Sequence, residues 1–99
     1  MSNFELSDLG DGRFALRGDV SFRTAEAILR SSDRLFKGKS DLELDLTDVS
    51  QTDSAGLALL LEWMRKAAAT GCEIRFANIP EKMQAIAIAS DLDDFLQGS

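Results

Sequence analysis

The 99-residue chain has no histidine, one cysteine, one proline and one tryptophan. Without histidine, neither a Ser-His-Asp triad nor a histidine-ligated zinc site can form. With a single cysteine, Cys72, no disulfide can close within the chain, which suits a reducing compartment. Cys72 falls where a strand should begin, between Gly71 and Ile74, and is read as a structural thiol, since a reactive one needs a base or a positive partner. Basic residues are also few: eleven lysines and arginines against seventeen aspartates and glutamates give a net charge of -6. The cations are dispersed, so the basic patch that nucleic-acid phosphates require is missing. The acidic balance favours solubility and gives a weak preference for a basic partner surface.

Long apolar runs are absent too. The longest, Leu57 to Leu61, is far too short to cross a bilayer. The segment Met1 to Glu5 has neither the charged nor the apolar region of a signal peptide. The expected location is the cytoplasm, without membrane insertion. Gly56 is the only glycine between Gly38 and Gly71, which excludes a P-loop and a dinucleotide fingerprint there. Asp45, Asp48 and Asp53 are spaced too irregularly for a calcium loop. No metal, cofactor or catalytic residue is therefore expected.

What is present reads as one small globular domain over residues 1–99, with 44% hydrophobic and 28% charged residues. Phe4 to Leu9 and Arg13 to Gly18 alternate apolar and polar residues around a Gly10-Asp11-Gly12 turn, the pattern of a hairpin. Ala25, Ile28, Leu29 and Phe36 follow helical spacing after Thr24. Leu42, Leu44 and Leu46 alternate again as a strand. Thr47 to Asp53 reads as a loop, and Ala55 to Ala69 as the strongest helix, stopped at Gly71. Glu73 to Ala77 is a further strand. Pro80 opens a helix carrying Met83, Ile86 and Ala87, and Leu92, Phe95 and Leu96 form a last helical turn over the core. The sum is an α/β fold: a small mixed sheet of about four strands packed against three to four helices.

At ~100° per residue, Leu57, Leu60, Met64, Ala67 and Ala68 of the strongest helix share a core face, with Leu61 at its edge. Ala55, Ala58, Leu59, Glu62, Arg65, Lys66 and Ala69 fall on the outer side. Trp63 lies at the boundary, where it either packs under a neighbouring loop or belongs to a contact surface. Asp53 and Ser54 stand at the helix start, suited to capping and also to a partner's donor or a phosphate. The small residues Ala55, Gly56 and Ala58 leave that start open to close approach.

The run Asp53-Ser54-Ala55-Gly56-Leu57, after a Leu-rich strand and a Thr/Ser/Asp loop, resembles the signature of STAS domains, found in sulfate-transporter tails and anti-sigma-factor antagonists. The resemblance covers nearly the whole chain. In phosphorylated antagonists the position matching Ser54 accepts the phosphate, and a second glycine usually stands where this chain has Ala58. The Gly56-Leu57-Ala58-Leu59-Leu60-Leu61 run is more similar to the MlaB branch, the small STAS subunits of phospholipid-transport ABC systems. There the matching residue is typically threonine, and the surface docks on a cytoplasmic ATPase subunit, MlaF-like, within a complex that includes the permease. The resemblance thus implies a non-catalytic binding subunit of an Mla-type transporter. Its contact set would be Thr52, Asp53, Ser54, Ala55, Ala58, Leu59, Glu62, Trp63 and Arg65. Thr52 and Ser54 would supply hydrogen bonds, Leu59 and Trp63 apolar area, and Glu62 and Arg65 rim charge. The alternative it implies is an anti-sigma-factor antagonist switched by phosphorylation of Ser54, with an anti-sigma kinase as partner.

Overall fold

A computed structural model describes residues 3–97. Strands β1 (Phe4–Gly10) and β2 (Arg13–Val20) form the expected hairpin, followed by helix α1 (Ala25–Leu35) and strand β3 (Asp41–Asp45). A short strand β4 (Val49–Thr52) then leads into α2 (Ser54–Thr70), β5 (Glu73–Ala77), α3 (Glu81–Ala89) and α4 (Asp93–Gln97). The fold is mixed α/β with a five-stranded sheet. β1 runs antiparallel to β2, whereas β3 and β4 run parallel to β2 and β5 parallel to β3.

The fifth strand departs from the expected loop over residues 47–53. β3 covers the first part of β2, Arg13 to Ala15, and β4 covers the far part, Gly18 to Val20. The chain turns between them, where Asp45 Oδ1 accepts from the Thr47 N–H at 3.0 Å and the Thr47 hydroxyl at 2.6 Å. Asn78 Nδ2 donates to the same oxygen at 3.1 Å. The Thr47 and Asn78 hydrogen bonds hold the Asp45 carboxyl below its ordinary pKa. Val49-Ser50-Gln51-Thr52 carries no apolar alternation; the unpaired edge of β2 makes it a strand.

Strand alternation sorts the sheet's two faces. Phe14, Leu16, Leu42, Leu44 and Ile74 point into a core that also takes Ile28 from α1, Leu57 and Leu60 from α2, and Met83 from α3. The opposite face carries Arg17 paired with Glu5 at 3.7 Å, and Arg75 paired with Asp41 at 3.6 Å. Leu96 is buried, as expected of the last helical turn, but Phe95 is 57% exposed. Cys72 is partly buried, and burial, with Asp41 and Glu73 nearby, pushes its thiol pKa up, so the thiol stays protonated.

The core face of α2 is wider than its sequence periodicity suggests, and it is displaced. Leu59, expected on the outer side, is 3% exposed, and Trp63 is 2% exposed. Ala68, expected in the core stripe, is exposed, and Met64 is half-buried. The cause is α1, which packs along one flank of α2. Trp63 Nε1 donates to Ser32 Oγ at 2.8 Å, the Trp63 ring leans on Phe36 at 5.5 Å, and Lys66 pairs with Asp33 at 2.9 Å. Leu59 lies between Trp63 and Lys66 in helical angle, so α1 covers that flank.

Candidate docking site at the start of α2

Asp53 is the N-cap of α2. Its Oδ1 accepts from the N–H groups of Ala55 at 2.9 Å and Gly56 at 3.2 Å, satisfying two of the donors a helix start leaves open. Its Oδ2 accepts from the Phe22 N–H at 3.2 Å, which ties the β2–α1 loop to the head of α2. That loop is braced from within: the Thr24 hydroxyl donates to the Asp19 carbonyl at 2.8 Å and accepts from the Ser21 N–H at 3.1 Å. The braced loop holds Phe22 out, 74% exposed. Between loop, strand end and α3 lies an open cleft of about 500 Å³, bordered by Phe22, Arg23, Gln51, Asp53 and Lys82. Beside it, Asp19 Oδ1 is buried without a hydrogen-bond partner among the described residues.

Ser54 is exposed, and its hydroxyl makes no hydrogen bond among the described residues. Ala58, one turn on, is exposed, and Ala55 is half-buried. Next along this flank, Arg65 forks onto Glu62, with Nη2 at 2.6 Å and Nε at 3.0 Å. The Arg65 guanidinium holds the Glu62 carboxyl below its ordinary pKa, and Glu62 raises that of Arg65. Ser54, Ala58, Glu62 and Arg65 therefore share one outward strip, as expected. Beyond Glu62 and Arg65, Leu61, Met64, Leu92 and Phe95 line a shallow apolar groove of about 380 Å³.

Three of the expected contact residues are buried. Thr52 is buried and faces the helix, its hydroxyl against Gly56. Leu59 and Trp63 are core residues, for the reason given by α1. Gly56 itself is buried rather than open: a Cβ there would overlap the Val20 carbonyl oxygen and the Thr52 hydroxyl. The glycine lets the head of α2 sit directly on the ends of β2 and β4. The exposed aromatic that the sequence reading passed over is Phe22. Its signal was present: a large apolar residue between Ser21 and Arg23, outside the stripe of α1.

The family profile described as "Mlab, STAS domain" matches residues 6–98. The chain belongs to the STAS domain family. Its fold is the one seen in the anti-sigma factor antagonist SpoIIAA in its unphosphorylated form, with a TM-score of 0.69 at 20% identity over 97% of this chain and 97% of that one. The Bacillus cell fate determinant SpoIIAA in the phosphorylated form gives 0.67 at 24% identity, over 90% of this chain and 84% of that one. A structure of Mglu gives 0.59 at 29% identity over 78% of this chain but only 19% of Mglu. No curated protein matches the chain by sequence. In this STAS domain no described helix is long and apolar enough to cross a membrane. Among the described residues no group of three or more cysteines, aspartates or glutamates could hold a metal ion.

Proposed function

We propose that this STAS domain is the small, non-catalytic subunit of an Mla-type phospholipid-transport ABC system. In that role it docks on the cytoplasmic ATPase subunit through the head of α2 and thereby stabilises the assembled transporter at the inner face of the membrane. The observation that carries this reading is the combination of the MlaB-type family match with an exposed, unbonded Ser54 hydroxyl beside the small Ala55 and Ala58. Small side chains admit a partner's backbone, and the free hydroxyl offers it a donor and an acceptor. Phe22 takes over the apolar part first assigned to Leu59 and Trp63, since exposed aromatics flanked by polar groups suit interface centres. A partner that binds only the assembled form stabilises it by linkage.

Affinity purification of the tagged protein from its own cells tests the reading. An ABC ATPase with its permease should co-purify with the wild type. The Ala58→Arg variant, with an unchanged circular dichroism spectrum, should lose them. Retention of the ATPase by Ala58→Arg would remove this surface from consideration.

A second reading, a phosphorylated anti-sigma-factor antagonist with an anti-sigma kinase as partner, is favoured by the same free hydroxyl at a helix N-terminus. Against it, the Ala55 and Gly56 N–H groups that would hold a phosphate already donate to Asp53. Intact mass of the cellular protein before and after phosphatase treatment separates the two: a phosphate-sized loss on Ser54 favours the switch.

A further inference from the structure

The opposite end of α2 carries a second cleft, of about 450 Å³, among the turn after α1, the start of β3 and the turn after α2. Its nearest α2 residue, Trp63, lies about 14 Å along the helix from Ser54 at ~1.5 Å of rise per residue, and its lining shares no residue with the docking site. It is therefore independent of the docking site above. Three lysines, Lys37, Lys39 and Lys66, and one aspartate, Asp33, border it. Lys66 is committed to Asp33, but Lys37 and Lys39 are exposed and have no ion pair among the described residues. In a protein of net charge -6, that is a local excess of positive charge. Behind the lysines the half-buried Phe36 ring faces the cleft, and the buried Leu42, Trp63 and Ala67 close its floor, with the Phe36 and Trp63 rings tilted against each other at 5.5 Å.

Cations near the end of α1 offset its dipole, and Arg34 in its last turn already supplies one. The dipole does not explain why two unpaired lysines border an apolar wall. A cleft of this volume lies within the roughly 300–1,000 Å³ typical of small-molecule sites. Its two halves ask for different parts of one molecule, a negative head for the lysines and an apolar body for the ring-lined wall. We propose that this cleft binds a single-chain amphiphilic anion, with the head held by Lys37 and Lys39 and the chain laid against Phe36.

The protein's only tryptophan lies in the floor of this cleft against Phe36, so its emission reports occupancy through that ring contact. Decanoate, kept below its micelle concentration, is titrated into the whole protein. Decanol (same chain, no charge) and acetate (same head, no chain) are titrated in parallel. Decanoate should change Trp63 emission saturably, and decanol and acetate should bind about tenfold or more weakly. A Lys37→Glu/Lys39→Glu variant, with both positions on the surface and the melting temperature checked, should bind decanoate about tenfold more weakly as well. A flat titration with decanoate overturns the proposal. So does equal binding of decanol or acetate, or a double variant that binds as the wild type does.

Discussion

The two flanks of α2 start from similar residues and end in different environments. On one, Leu59, Trp63 and Lys66 meet α1, and all that side's chemistry is satisfied internally, down to the indole N–H on Ser32 and the ammonium on Asp33. On the other, Ser54, Ala58 and Arg65 face outward, with a hydroxyl left unbonded among the described residues and an arginine matched only by its neighbour Glu62. Helical periodicity locates the centre of an apolar face. Its width is decided by whichever element packs beside it, and here α1 extends it across Leu59. The adjacent positions 58 and 59 are therefore the sharpest contrast in the molecule.

Placing an arginine at each of these positions gives the largest expected difference. Leu59→Arg loses a buried leucine, a change that costs about 2–5 kcal/mol even for truncation to alanine, and it adds an unpaired charge in the core. Since a small domain has only about 5–15 kcal/mol in total, this variant should fail to give a cooperative thermal transition. Ala58→Arg, on the open flank, should shift stability by no more than about 0.5 kcal/mol. Equal behaviour of the two in thermal melts would erase the distinction between the flanks.

A smaller effect tests where the open flank stops. Gly56→Ala places a methyl group against the Val20 carbonyl oxygen, which is backbone and cannot swing aside. Overpacking of this kind costs about 1–3 kcal/mol, read as a lower denaturant midpoint with an unchanged slope. If Gly56→Ala were neutral, the head of α2 would be looser than its contacts indicate. Asp53→Ala removes the cap from α2 and the tie to Phe22, and should cost about 1 kcal/mol in the same measurement.

The smallest effect concerns pH. The Thr47 and Asn78 hydrogen bonds depress the Asp45 pKa in the folded state. Its contribution is therefore complete above the ordinary carboxylate range and is lost as the pH falls through the lowered folded value. Melting temperatures of wild type and Asp45→Asn should differ at neutral pH and converge on acidification. A constant gap across the titration would show that the turn between β3 and β4 does not depend on the Asp45 charge.

Much of this was legible without coordinates. The Phe4 and Arg13 strands, the Leu42-Leu44-Leu46 alternation and the long helix ending at Gly71 all lie where periodicity and turn residues put them. The Asp53 cap and the exposure of Ser54 and Ala58 followed from local chemistry alone. β4 did not, because its strand character comes from the free edge of β2 rather than from its own side chains. Leu59 and Trp63 were misplaced for a related reason, since α1, distant in sequence, covers them, whereas Thr52 turns its hydroxyl against Gly56 of the helix it precedes.

By itself, then, the sequence determined the element order apart from β4, the capped start of α2, the absence of a histidine-based site and the STAS signature, since these depend on residues a few positions apart. The tertiary structure alone decided which flank of α2 remains open, that Phe22 stands beside its head and that Gly56 is filled rather than free. Those outcomes depend on where α1, β2 and the β2–α1 loop come to rest against a helix thirty residues away, and no local pattern encodes that placement.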